Sequence, residues 1–164
     1  MPLPDAPIIP AREEHKLTRI DALLTDYGSY HRTRGNRVCH AFGITLIVYG
    51  LLALLQLAAL PGGRWSLAEV FVAAASLYYL TLSLPLGLTM LAEAVALDLI
   101  ARFVADWRVG LGAFVAGWIF QGIGHARYEK KSPAFFKNLL HLLVGPIFLW
   151  NELLHVRRIE PVNH

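Results

Sequence analysis

Four of the seven histidines in this 164-residue chain, His31, His40, His125 and His141, border or enter apolar runs. Polar and ionisable groups are costly beside hydrocarbon and tend to mark function there. An imidazole in that position either hydrogen-bonds at the membrane interface or ligates a metal. By chemistry alone it suits iron, zinc, copper or nickel. The single cysteine, Cys39, excludes an intramolecular disulfide and any Cys-rich zinc or iron–sulfur site. His15 and His164 fall in surface or terminal segments. His155 stands in the basic run His155-Val156-Arg157-Arg158, suited to lipid headgroups.

The neighbours of the four histidines supply groups a metal site uses. Tyr27-x2-Tyr30-His31 and Asn36-x3-His40 set hydrogen-bonding residues beside two imidazoles. Gln121-x3-His125-x3-Glu129 places an amide, an imidazole and a carboxylate on one helix face. An amide or carboxylate of this kind commonly fixes the tautomer of a ligating histidine. The plainer alternative pairs Gln121 with another helix and Glu129 with Arg127, Lys130 or Lys131. No HExxH, GxSxG or Walker-type motif occurs, and too few histidines remain for a di-iron desaturase set.

The elements that must position these residues are membrane helices. Hydrophobic residues make up 55% of the chain and charged residues 16%, against roughly 25% charged in a soluble domain. Residues 1–12, with four prolines in the first ten, form a disordered lead-in. A single membrane-embedded domain covers 13–155 and a basic tail 156–164. Leu17, Ile20, Leu23, Leu24 and Tyr27 give 13–30 an amphipathic helical pattern. Four apolar spans follow at 41–60, 67–84, 86–104 and 109–124, the first of them free of charge and long enough to cross ~30 Å of hydrocarbon. Residues 134–154 are apolar but interrupted by Lys137, Asn138, His141 and Glu152, which suits an interfacial or partly re-entrant helix, with a fifth span as the alternative. The fold class is all-α, a polytopic helical bundle. Asp98 and Arg102, at i and i+4, form an ion pair at the end of the third span.

Charge gives the orientation. Arg32, Arg34 and Arg37 precede the first span, and Arg127, Lys130, Lys131 and Lys137 follow the fourth, whereas the opposite loops hold Arg64 and Arg108. The positive-inside rule makes the rich side cytoplasmic and puts His31, His40 and His125 on one membrane face. The net charge of +3 comes in short juxtamembrane bursts, not a basic face, so nucleic acid is excluded as a partner. Short loops and an Ala, Leu and Gly bias favour a bacterial inner membrane, with the endoplasmic reticulum the counterpart in a eukaryote.

Two motifs carry a family resemblance. Tyr30-His31-x4-Asn36-x3-His40, and Gly117-Trp118-Ile119-Phe120-Gln121-x2-Gly124-His125-x3-Glu129-Lys130-x2-Pro133-Ala134, resemble the 2-hydroxy-fatty-acid dioxygenase family of fungi and its bacterial homologues. The resemblance runs over residues 20–150. It implies an Fe²⁺-dependent membrane enzyme that takes a 2-hydroxy fatty acid and dioxygen and releases the fatty acid one carbon shorter. By the same resemblance His31, His40 and His125 are the metal ligands, and Asn36, Gln121 and Glu129 serve in support or substrate positioning. His141 departs from the family, where glutamine stands, and Arg32 replaces a histidine beside His31. Two other readings use the same residues: a non-enzymatic haem- or lipid-binding membrane protein, and a zinc-dependent lipid hydrolase.

Overall fold

The computed structural model describes residues 18–104, 106–130 and 140–157. Six α-helices lie among them: α1 (Arg19–Ser29), α2 (Arg34–Leu55), α3 (Leu67–Leu82), α4 (Leu84–Val104), α5 (Trp107–Ile123) and α6 (Leu140–Leu154). A π-helical turn, Gly124–Glu129, continues α5. The architecture is an all-α membrane bundle. By length and composition α2, α4 and α5 with its π turn can cross a membrane. The apolar α3, 16 residues long, returns the chain between the same two ends over about 24 Å. The lead-in, Lys131 and Lys137, most of the basic tail, and the segment 134–139 lie outside the described residues.

Local chemistry starts each helix. Thr18 caps α1 in a reciprocal box with Asp21, and Ser66 does the same for α3 with Glu69. Thr33 caps α2 by accepting from the Asn36 amide at 3.4 Å. That cap explains a difference from the sequence reading, in which 31–37 is a polar linker before a span at 41. The helix begins seven residues earlier, so Asn36 and His40 share one rigid element.

Small residues decide how the long helices meet. Asn36, Gly43 and Gly50 recur at seven-residue intervals on α2, and they face Gly124, Gly117 and Gly110, spaced likewise on the antiparallel α5 and its π turn. A Cβ on Gly117 would sit 2.7 Å from the Gly43 carbonyl oxygen, and one on Gly50 2.6 Å from that of Gly110. Between membrane helices no hydrophobic effect drives association, and such close backbone approach is what packing relies on. Large side chains left outside face lipid, as Phe103 does at 87% exposure.

At the end far from the histidines, Gln56 of α2 donates to Asp98 (2.5 Å) and to Glu69 (3.1 Å), joining α2, α3 and α4. Arg102 pairs with Asp98 at 3.5 Å, as its i,i+4 spacing predicts, and with Glu69. At the near end α1 and α6 close the bundle. Ile20, Leu24 and Tyr27 of α1 share a core with Tyr79, Leu86, Met90, Val144, Ile147 and Phe148. Leu140–Leu154 of α6 is largely apolar over its described length, and the residues directly before it lie outside the described ones.

Candidate metal centre

His31 lies in the short link after α1, His40 lies two turns into α2, and His125 is the second residue of the π turn. The packing of α2 on α5 and its extension brings them together. One ring nitrogen from each lies within 4.8 Å of the others, and all three side chains are buried. His31 Nε2 and His40 Nε2 are 2.9 Å apart. The rings meet edge to face, with centroids 4.3 to 5.0 Å apart.

The backbone settles two tautomers. His31 Nδ1 lies 2.8 Å from the Tyr27 carbonyl oxygen and His40 Nδ1 3.0 Å from that of Asn36. A carbonyl only accepts, so each Nδ1 carries the proton and donates it. Each Nε2 is then a bare lone pair, and two lone pairs facing at 2.9 Å need a cation between them. A proton is disfavoured there, because burial lowers the His31 pKa to about 4, against the lesser opposing pull of its bond to Tyr27. His125 Nδ1 is buried without a hydrogen-bond partner among the described residues. Three neutral imidazoles whose ring nitrogens converge are the donor set that a borderline transition metal takes.

The supporting residues act partly as the spacing suggests and partly not. Tyr27 and Asn36 orient the imidazoles through main-chain carbonyls, and the Tyr27 ring also stacks on His31 at 4.0 Å. Asn36 is fully buried, and its side-chain amide donates to Glu129 at 3.2 Å. Glu129 also accepts from the Thr33 main chain (2.8 Å) and hydroxyl (3.0 Å). The even helical face of Gln121, His125 and Glu129 therefore stops at His125. Beyond Gly124 the wider π turn swings Glu129 onto the start of α2. Thr33 is a fixed residue of neither sequence motif, though its position three residues before Asn36 is N-cap spacing.

His141 is set apart from the three. Its Nε2 lies 2.7 Å from the Asp26 carboxylate, and its ring leans on Tyr27 and Tyr30. The link to Asp26 leaves Nδ1 buried and without a partner among the described residues, but His141 stands outside the group whose ring nitrogens converge.

A cavity of about 440 Å³ opens from the three histidines into the bundle. Ile47, Leu51, Phe71, Val72, Met90 and Phe114 represent its largely apolar wall. Gln121, His141 and Glu93 also line it, with Glu93 accepting from Trp150 at 2.6 Å. Asn36 and Glu129 do not reach the chamber; they stand behind the imidazoles. Of the supporting candidates, Gln121 alone borders the space a ligand would fill.

No solved structure matches the chain. It is 33% identical over 135 residues to the 2-hydroxy-palmitic acid dioxygenase MPO1 of Saccharomyces cerevisiae, covering 78% of this chain and 75% of that protein. Residues 17–157, which hold the three histidines and every helix that packs around them, match the family described as 2-hydroxy-palmitic acid dioxygenase Mpo1-like, and the chain belongs to that family.

Proposed function

We propose that this protein is an Fe²⁺-dependent membrane dioxygenase that shortens 2-hydroxy fatty acids by one carbon. The observation that carries the reading is the convergence of three neutral imidazoles at the mouth of an apolar chamber. The relative's name supplies the substrate class, a 2-hydroxy fatty acid. His31, His40 and His125 would hold the metal, and bound Fe²⁺ would supply the redox chemistry that activates dioxygen.

The overall change is R–CH(OH)–COOH + O₂ → R–COOH + CO₂ + H₂O. The bond between the carboxyl and hydroxyl-bearing carbons breaks, and the substrate gives up all four electrons that reduce dioxygen. No second reductant enters the balance. The chain's own groups bind and orient. The apolar wall takes the acyl tail, each buried methylene contributing about 0.8 kcal/mol. Gln121, at the chamber wall beside α2, offers a hydrogen bond to the polar head. The carbonyls of Tyr27 and Asn36 keep the Nδ1 protons away from the centre. Glu129 and Thr33 hold the start of α2, and with it His40, at its distance from His125.

Arg32, Arg34, Arg37, Arg127 and Lys130 stand at the histidine end of the bundle, and Arg64, Arg108 and the ion-paired Arg102 at the other. This asymmetry supports a cytoplasmic site in a bacterial inner membrane, or the corresponding face of the endoplasmic reticulum. The basic rim draws carboxylates toward the site, and membrane lipid is the surrounding solvent.

The test is anaerobic purification with metal analysis, followed by oxygen uptake on 2-hydroxypalmitate. The expected result is about one iron per chain, with pentadecanoate and CO₂ formed as oxygen is consumed. Zinc without oxygen uptake would replace this reading with a lipid hydrolase, and a Soret band with a haem protein.

A further inference from the structure

A second cavity of about 200 Å³ adjoins the chamber, and the two share Tyr27, His31, His40, Ile44 and Gly145. It lies in the cleft between α2 and α6. Arg37 and Glu152 are the charged residues among its lining, paired at 2.5 Å with their side chains 44% and 32% exposed. Arg37 also reaches inward, donating from Nε to the His31 carbonyl oxygen at 3.0 Å. Among the described residues the larger chamber has no lysine or arginine in its wall. One guanidinium thus spans the distance from the surface to the backbone of a candidate ligand.

We propose that the α2–α6 cleft is the head-group entrance of the fatty-acid site, and that Arg37 is the residue that reads the carboxylate. This rests on the chamber being a fatty-acid site, as argued above. Glu152 is a built-in competitor: its carboxylate occupies the guanidinium until the carboxylate of the incoming acid displaces it. The exchange is feasible because a half-exposed ion pair is weak and screened. A carboxylate that also places its tail in the chamber gains the apolar burial that Glu152 lacks. Arginine suits the task, since its planar fork takes a carboxylate in two parallel hydrogen bonds. Entry from the side also matches an amphiphile that arrives within the bilayer with its head at the interface.

The test compares palmitate with the uncharged palmitamide, binding to the full chain in nanodiscs. Arg37→Met is expected to weaken palmitate about tenfold or more and to leave palmitamide within about twofold. Arg37→Lys restores part of the difference. Glu152→Gln, which keeps the bond from Arg37 to His31, tightens palmitate about threefold without moving palmitamide; it also serves if Arg37→Met does not fold. Equal changes for both ligands, or none for either, overturn the proposal. Iron content of each variant shows that the histidine end is intact. Absence of oxygen uptake by the wild type would remove the dioxygenase reading and leave the palmitate titration to decide the entrance.

Discussion

His31 and His40 face each other through unprotonated Nε2 atoms 2.9 Å apart, because each spends its Nδ1 proton on a carbonyl one helical turn back. The pair is stable at that distance when a cation is shared. Replacing His31, His40 or His125 by alanine is therefore expected to abolish both iron retention and turnover. Metal analysis of the purified variants is the check, and an unchanged iron content would remove that residue from the ligand set.

Acid should loosen the metal-free protein. Burial holds the His31 pKa at about 4 in the folded chain, against an ordinary imidazole value of 6.5. A folded pKa below the unfolded one means that the unfolded chain binds more protons between those values. The neutral ring's contribution is thus complete above pH 6.5 and lost as pH falls towards 4. At 1.36 kcal/mol per pH unit the loss is on the order of 3 kcal/mol. Bound iron competes with protons and should move the midpoint lower. Thermal melts of apo and loaded protein across this interval measure both effects.

Glu129 holds three donors of the α2 start, two of them on Thr33. Glu129→Ala leaves Asn36 and the Thr33 main chain unpaired, a loss of about 1–3 kcal/mol. Because His40 rides on the same helix and donates to the Asn36 carbonyl, iron affinity should fall about 10- to 100-fold. Iron titration of the variant distinguishes this from a solvent-facing carboxylate, whose loss would leave affinity unchanged.

The α2–α5 register predicts an asymmetry between two glycines on one helix. Gly117→Ala brings a Cβ to 2.7 Å from the Gly43 carbonyl, where backbone must move, whereas Gly112→Ala meets nothing within 4 Å. The first should cost on the order of 1–3 kcal/mol and reduce iron content, since His125 is carried on the displaced helix. The second should be neutral or gain up to about 1 kcal/mol. Unfolding of both in the same detergent provides the comparison.

Chamber depth should set chain length. Ala94 of α4 lines the apolar wall, and Ala94→Phe fills part of it. The variant is expected to favour acids shorter than 2-hydroxypalmitate, with roughly 0.8 kcal/mol lost for each methylene left unburied. Product analysis over an acyl series reads the shift; an unaltered preference would place the tail elsewhere.

Much of this protein is local information. Uninterrupted apolar runs near the thickness of a bilayer dictate membrane helices, because backbone groups in hydrocarbon must bond within their own segment. Clusters of arginine and lysine beside two of those runs order their ends, and His31, His40 and His125 stand out because imidazoles at such borders are costly. The i,i+4 spacing of Asp98 and Arg102 also sufficed for their pair. Tertiary structure decided what periodicity does not carry across 85 residues, from His40 to His125. The meeting of those two depends on Gly43 and Gly50 passing Gly117 and Gly110 at backbone contact, a register set by shape and not by hydropathy. The π turn, which deflects Glu129 from its expected face onto Thr33, comes from that same packing. So does the place of the fourth histidine: His141 borders the chamber like the others, and the docking of α1 on α6 sets its Nε2 against Asp26, outside the group of three whose nitrogens converge.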